Sequence, residues 1–150
     1  EPRYTIWSNT LCLLRPGERP TSQRVLRRVG AYAMMPFHSW ADNPGIAEHL
    51  PHAVRERLEL YEREVLARFP GPRHSHTHRG HLSHLQPGEE RVLTDEIVRM
   101  TTLTGDAEEI AERLRALEAA GLRNLSLWAP PPLTRELVSE VAEQLVPLLA

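Results

Sequence analysis

Histidines are the residues of this sequence whose type and spacing most directly suggest chemistry. Five of the eight histidines lie between His74 and His84, inside a segment that is bounded by Pro and Gly at 70–91. A loop of this length in a compact domain is usually functional or disordered. Imidazoles donate hydrogen bonds and act as acids and bases near pH 7. We therefore predict that His81, in the sequence RGHL, is catalytic; the alternative is an ordinary solvated loop.

The alternating histidines at the start of this segment raise a second hypothesis. On an extended chain His74, His76 and His78 would point to one side, where they could bind zinc or copper. No cysteine or HExxH pattern supports such a site, and histidines without carboxylate support bind metals with little specificity. We predict no dedicated metal site, and a metal-binding histidine loop remains an alternative.

A candidate anion site follows the second of three predicted strands. Thr104-Gly105 leads directly into Asp106, a predicted helix N-cap, with Glu109 three residues later. Such a turn places backbone N–H groups at the carboxyl edge of a parallel sheet, where the helix dipole favours phosphate. Thr104 and Gly105 are therefore predicted to bind a cofactor phosphate; the alternative is a tight turn before a capped helix. Trp128 is predicted to stack on a cofactor ring, the alternative being a place in the core or at its rim.

The elements that would position these residues alternate between strand and helix patterns, which predicts an α/β protein with a single domain over residues 1–150. Runs of β-branched, aromatic and other apolar residues predict strands at Thr5 to Leu14, Thr101 to Thr104 and Asn124 to Trp128. Helical spacing of apolar residues predicts helices at 21–35, 53–69, 106–120 and 133–149. Segment 36–51, with its Asn, Gly and Pro residues, is predicted to be a loop with short helical turns.

Composition narrows the classes of partner. The formal net charge of −2 creates no field that would draw the chain onto nucleic acid or anionic lipid. No segment approaches the roughly 18 apolar residues of a membrane-spanning helix. We expect a cytoplasmic protein with no nucleic-acid and no membrane partner. Cys12, the single cysteine, fits a reducing compartment and is expected to be a small buried residue.

Residues Leu93 to Leu149 resemble the C-terminal part of luciferase-like monooxygenases, especially the branch that includes methylenetetrahydromethanopterin reductase and related deazaflavin enzymes. The resemblance lies in an ordered series: a strand, Thr-Gly, an acidic helix start, AERLRALEAAG, an apolar strand and a terminal amphipathic helix. Two upstream segments, RVLRRVGAYAMMPFHSWAD and RGHLSHLQPGEERVLT, are similar to the helical excursion and the His-containing segment that precede the final strands in that branch.

This resemblance implies the C-terminal portion of a (β/α)8 TIM-type barrel that binds FMN or a 5-deazaflavin at the carboxyl ends of its strands. The implied activity is that of an oxidoreductase, in which hydride passes between the cofactor ring and a small-molecule substrate. In that setting the Thr104-Gly105 turn would bind the cofactor phosphate, and His81 would line the pocket.

Three strands cannot close a barrel, and open sheet edges tend to pair with other chains. The sequence also begins at Glu1-Pro2 without an initiator Met, so we expect a piece of a larger barrel. The partner would be the missing barrel half or a second copy in a homodimer. A non-catalytic half-barrel that regulates or stabilises its partner is the main alternative function.

Overall fold

The computed structural model describes residues 5–77 and 79–150, and for His76 it describes the backbone only. The strands are β1 (Ile6–Leu13), β2 (Leu103–Gly105) and β3 (Asn124–Trp128). The α-helices are α1 (Gln23–Val25), α2 (Ala31–Asp42), α3 (Pro44–Ala47), α4 (His52–Glu64), α5 (Arg73–Thr77), α6 (Asp95–Thr101), α7 (Ala107–Ala119), α8 (Thr134–Glu140) and α9 (Val146–Leu149). Turns of π-helix occupy Leu26–Gly30 and Val141–Leu145, and turns of 3-10 helix occupy Leu66–Arg68, Glu89–Arg91 and Pro131–Leu133.

The sheet has the strand order β2-β1-β3, and both pairings are parallel. The carboxyl half of β1 pairs with β2, with Leu11 opposite Leu103 and Leu13 opposite Gly105. The amino half of β1 pairs with β3, with Ile6 opposite Asn124 and Thr10 opposite Trp128. The prediction of an α/β fold with three parallel strands is confirmed.

The order of the strands does not confirm the barrel. In a barrel of successive β/α units each strand lies beside the next, whereas β2 and β3 here lie on opposite sides of β1. An order that reverses around the first strand is typical of open α/β sheets. The fold that is established is therefore an open three-stranded α/β arrangement.

Two hydrophobic clusters cover the two faces of β1, because successive side chains of a strand point in opposite directions. Cys12 belongs to the cluster that includes Val25, Val29 and Phe37 from the first helical segments. Leu11 and Leu13 belong to the second cluster, with residues of α7, α8 and the last π-helical turn: Ile110, Ala111, Leu137 and Leu145. The sheet thus lies between an N-terminal layer of helices and a C-terminal layer. Within the described ranges, no helix is both long and apolar enough to cross a membrane.

The prediction of a loop from residue 36 was wrong, since α2 continues through Pro36 to Asp42. A proline inside a helix removes one backbone hydrogen bond and normally disfavours helix. Here the helix is maintained by packing: Phe37 is fully buried and contacts the ring of Trp40 with 5.0 Å between ring centroids. Burial of these apolar side chains offsets the lost hydrogen bond.

The second strand begins two residues later than predicted. Thr101 is the last residue of α6, and its hydroxyl donates to the carbonyl of Ile97 at 2.7 Å. Thr102 donates in the same way to Val98 at 2.6 Å. Threonine hydroxyls that bond to the carbonyl four residues earlier let β-branched residues complete a helix, which the strand-like composition did not indicate.

The ends of α7 follow the prediction closely. The Asp106 carboxylate accepts a hydrogen bond from the backbone N–H of Glu109 at 2.8 Å, so Asp106 is the N-cap. After the helix, Gly121 has a φ of +102°, a conformation that favours glycine. The N–H of Gly121 bonds to Glu118 and that of Leu122 bonds to Leu117, which satisfies two carbonyls of the last turn.

Candidate functional site

An apolar recess lies beside the segment that follows β3. This recess, the carboxyl-edge groove, has a volume of about 700 Å³, within the range of small-molecule sites. Its lining comes from three segments: Thr21, Gln23, Leu26 and Arg27; Ser83, His84, Leu85 and Glu90; and Pro130, Pro131, Pro132 and Leu133. In open α/β sheets, ligands bind outside the carboxyl ends of the strands where the strand order reverses. The Pro130–Leu133 part of this groove follows the carboxyl end of β3, and the lining contains no residue of the three strands themselves.

The three segments that line the groove form its three walls, in chain order. A local interaction stabilises the position of each wall. Ser22 caps α1 by accepting from the N–H of Val25, which starts the first helical wall after the loop. Leu85 lies directly against Gly30: a Cβ atom at position 30 would come within 2.7 Å of the Leu85 Cδ1 atom. The third wall is stiffened by consecutive prolines, which restrict φ. Its backbone closes on itself, since Leu133 N–H donates to the Pro130 carbonyl at 2.8 Å.

A buried contact between His38 and Glu89 connects the histidine segment, residues 70–91, to the N-terminal layer of helices. His38 of α2 and Glu89 have side-chain exposures of 6% and 1%, and His38 Nε2 lies 2.9 Å from Glu89 Oε1. The other oxygen of Glu89 accepts from the backbone N–H of Gln86 at 2.7 Å. These contacts fix the chain just after His84, and so they position the second wall of the groove.

The structure separates His81 from the groove. His81 is half-buried, and its ring lies against that of His38 with 5.7 Å between centroids. The histidine that lines the groove is His84, whose Nδ1 lies 3.0 Å from Ser83 Oγ and whose Nε2 lies 3.2 Å from Gln86 Nε2. The catalytic role of His81 stays a prediction, and His84 is the histidine in the lining of the groove.

The surroundings of the Thr104-Gly105 turn are acidic. Thr104 is fully buried, and its hydroxyl lies 2.7 Å from that of Thr102. The Gly105 carbonyl accepts from the N–H of Leu14 at 2.8 Å. The first turn of α7 then carries Glu108 and Glu109 after the capping carboxylate of Asp106, which opposes the attraction of the helix dipole for an anion.

A recess of about 630 Å³ does lie beside this turn. Its lining includes Arg15 and Arg99 as well as Asp106 and Glu108. Arg99 forms an ion pair with Glu109, so its charge is already neutralised. The binding of phosphate by Thr104 and Gly105 stays a prediction. The carboxylates around the turn make phosphate binding less favourable than the sequence pattern suggested.

Trp128 and the Thr104-Gly105 turn are not neighbours. Trp128 pairs with Thr10 and Thr104 pairs with Cys12, so the whole of β1 lies between them. Two strand spacings amount to roughly 9.5 Å. Trp128 is half-buried and alternates with Leu127, which faces the second hydrophobic cluster. A single cofactor that touches both predicted subsites would have to span the central strand.

Cys12 is confirmed as a buried residue, with no exposed surface. Burial raises the pKa of its thiol from an ordinary 9.0 to about 11, against a smaller opposing effect of Arg24 and Arg28. A thiol with a raised pKa is a poor nucleophile at neutral pH. Cys12 therefore contributes packing between the sheet and α1 and no chemistry of its own.

The alternating histidines fall partly outside the described residues. His78 and the side chain of His76 belong to that part. The backbone of Arg73–Thr77 is helical and not extended, so His74 and His76 do not lie on one side of the chain as the hypothesis assumed. Among the side chains that are described, no group of three or more metal-ligating residues could hold an ion.

Arg24 and Arg28 line a smaller recess that adjoins the groove. Arg24 forms an ion pair with Glu18 at 2.5 Å, and this contact holds the pKa of Glu18 at about 2, below its ordinary 4.5. Arg28 is 1% exposed and is paired with Glu136 at 2.6 Å and with Glu140. These pairs join the first helical wall to α8 and are not free to bind a ligand.

The lining of the carboxyl-edge groove fits a planar ring with polar edges. Leucine and proline side chains form most of its surface, and hydroxyl, amide, imidazole and guanidinium groups lie at its rim. Sequence reasoning missed Leu26, Leu85 and Leu133, because single leucines in helices and loops carry no signal for a binding site. Comparison of the chain with protein-family models, with curated proteins and with solved structures found no match.

Proposed function

We propose that this chain is the C-terminal part of a flavin- or deazaflavin-dependent oxidoreductase of the luciferase-like kind, and that the carboxyl-edge groove binds the cofactor ring. The observation that carries the proposal is the groove itself, an apolar recess of about 700 Å³ next to the segment that follows β3. Ligand pockets of this kind combine an apolar lining with a few polar groups that orient the ligand. The ordered resemblance from Leu93 to Leu149 adds the cofactor class, FMN or a 5-deazaflavin.

The residues of the groove have distinct roles in this proposal. Leu26, Leu85 and Leu133 exclude water from one side of the ring, and Pro130–Pro132 form a rigid support. Ser83 and His84 lie at the rim, where an imidazole can exchange a proton with a small substrate. The bound cofactor supplies hydride transfer, which no side chain of this protein can provide. Any further strands of the enzyme lie, in this proposal, on another chain or another part of the protein.

The proposal is tested by titrating the purified chain with FMN and with a 5-deazaflavin while following cofactor fluorescence. We expect dissociation constants on the order of micromolar, and a Leu133→Asp variant that binds about tenfold more weakly, because it places a charge in the apolar groove. Asp is a favourable residue immediately before a helix such as α8, so this variant is expected to fold.

Val138→Asp is the matched control. Val138 lies on α8, the helix that Leu133 precedes, is 61% exposed and does not line the groove, so its substitution should leave the affinity unchanged. Equal weakening by both variants would point to a general disturbance of α8. Absence of binding by the unaltered chain to either cofactor would refute the assignment of the groove.

A second function, that of a non-catalytic half which stabilises or regulates a partner, is favoured by the edge formed by β3. None of its five residues is fully buried, and within the described ranges β3 pairs only with β1. Val138 and Val146, on the C-terminal helical layer, are 61% and 52% exposed. Light scattering of the purified chain would distinguish the two functions: a stable dimer without cofactor binding would support the partner role.

A further inference from the structure

We propose that Arg27 binds the anionic group of the ligand whose ring occupies the carboxyl-edge groove, so that the site selects a planar molecule that carries a phosphate. This inference rests on the proposed function and assigns the phosphate to a different place from the Thr104-Gly105 turn. It sets the orientation of the ligand in the groove. The ring lies over the leucines and prolines, and the anionic group points toward α1.

The position of Arg27 supports this assignment. Arg27 lines the carboxyl-edge groove and also a smaller adjoining recess of about 330 Å³. Gln23 and Leu133 line both recesses as well, so the two adjoin at this point. A ring in the larger recess would leave a side chain or phosphate within reach of Arg27 and the amide of Gln23.

The charge of Arg27 is available, in contrast to the charges beside it. Arg24 and Arg28 are neutralised by Glu18, Glu136 and Glu140. Arg27 is exposed, and no carboxylate among the described residues forms an ion pair with it. A guanidinium presents a planar fork of donors that matches the oxygens of a phosphate.

The carboxylates on the same walls are already engaged. Glu136, in the smaller recess, is paired with Arg28 at 2.6 Å. Glu90, in the groove, accepts from the backbone N–H of Gly88 at 2.9 Å. Neither forms an ion pair with Arg27. At the turn after β2, Asp106 caps the helix and Glu109 is paired with Arg99, so Glu108 is the carboxylate that adds negative charge there. The choice of Arg27 rests on its place beside the apolar groove.

The test compares FMN with riboflavin, which has the same ring and lacks the phosphate. We expect the unaltered chain to bind FMN about tenfold more tightly than riboflavin, a preference that falls with added salt. In Arg27→Met the affinity for FMN should drop to within about twofold of that for riboflavin, while riboflavin binding stays unchanged. Arg27→Lys should retain part of the preference, because it keeps the charge and loses the fork.

Arg55→Met is the matched control, since Arg55 is an exposed arginine of α4 that lines neither recess. It should keep the full preference for FMN. If Arg27→Met also keeps the preference, or if the unaltered chain binds both flavins equally, this inference is wrong and the proposed function stands. If the unaltered chain binds neither flavin, both are wrong.

Discussion

The carboxyl-edge groove and the turn after β2 both follow strands of the same sheet, but they differ in what they offer a ligand. The groove has an apolar lining and one unneutralised arginine, Arg27. The turn is closed by the hydrogen bond from Leu14 to Gly105 and is followed by a helix start rich in carboxylates. Acidic side chains at a helix N-terminus already interact with its dipole, so this helix start offers less to a further anion than its backbone alone would.

The largest effect on stability is expected from Arg28, which pairs with Glu136 and Glu140 of the C-terminal helical layer. Arg28→Met should lower the free energy of unfolding by roughly 1.5–3 kcal/mol, because Glu140 loses its closer arginine and keeps only Arg24 at 3.8 Å. Chemical denaturation measures the change. The adjacent Arg27→Met, at an exposed position, should alter stability by less than about 0.5 kcal/mol. Similar losses in both variants would remove the distinction between a structural and a ligand-binding arginine.

The next largest effect is on the reactivity of the Cys12 thiol. Cys12 lies between the groove and the turn after β2, since it pairs with Thr104 and packs under α1. With its pKa raised from 9.0 to about 11, the folded protein should have an about hundredfold lower thiolate fraction at pH 8 than the unfolded chain. Labelling with a thiol reagent should therefore be slower by at least that factor, and denaturant should restore it. Rapid labelling of the folded protein would show that the layer over β1 opens readily.

The same pKa shift sets the direction of a pH dependence. The folded state retains the Cys12 proton to higher pH than the unfolded state does, so this contribution to stability is fully present below pH 9. It is lost as the pH rises through about 11. Cys12→Ala should remove this alkaline component, which a comparison of urea midpoints at pH 8 and pH 11 would detect.

The smallest effect is expected at the turn. Gly105→Ala should change the affinity for FMN by less than about twofold, or roughly 0.4 kcal/mol. The new Cβ atom would lie 2.5 Å from a carboxylate oxygen of Glu109, a flexible group that can move aside. Far-UV circular dichroism checks that the variant is folded. A tenfold loss of FMN affinity with riboflavin unaffected would instead support the phosphate prediction for Thr104 and Gly105.

Much of the fold could be predicted because its signals are local. The strand from Ile6, the capped helix after Asp106 and the glycine at position 121 each depend on a few neighbouring residues. Pro36 was misjudged because its local preference is overridden by the burial of Phe37, which depends on residues far along the chain. The site was harder to predict for the same reason: the leucines that line it come from three separate segments.

Taken alone, the amino-acid sequence determined the α/β class, the three strands, the main helix boundaries near Asp106 and Gly121, and the buried nature of Cys12. These follow from periodicity, capping and composition, which act over a few residues. Only the tertiary structure decided the strand order, which puts β1 between the two predicted subsites, and the pairing that neutralises Arg24 and Arg28 but not Arg27. Such outcomes depend on which distant segments pack together, and no local pattern in the chain encodes that choice by itself.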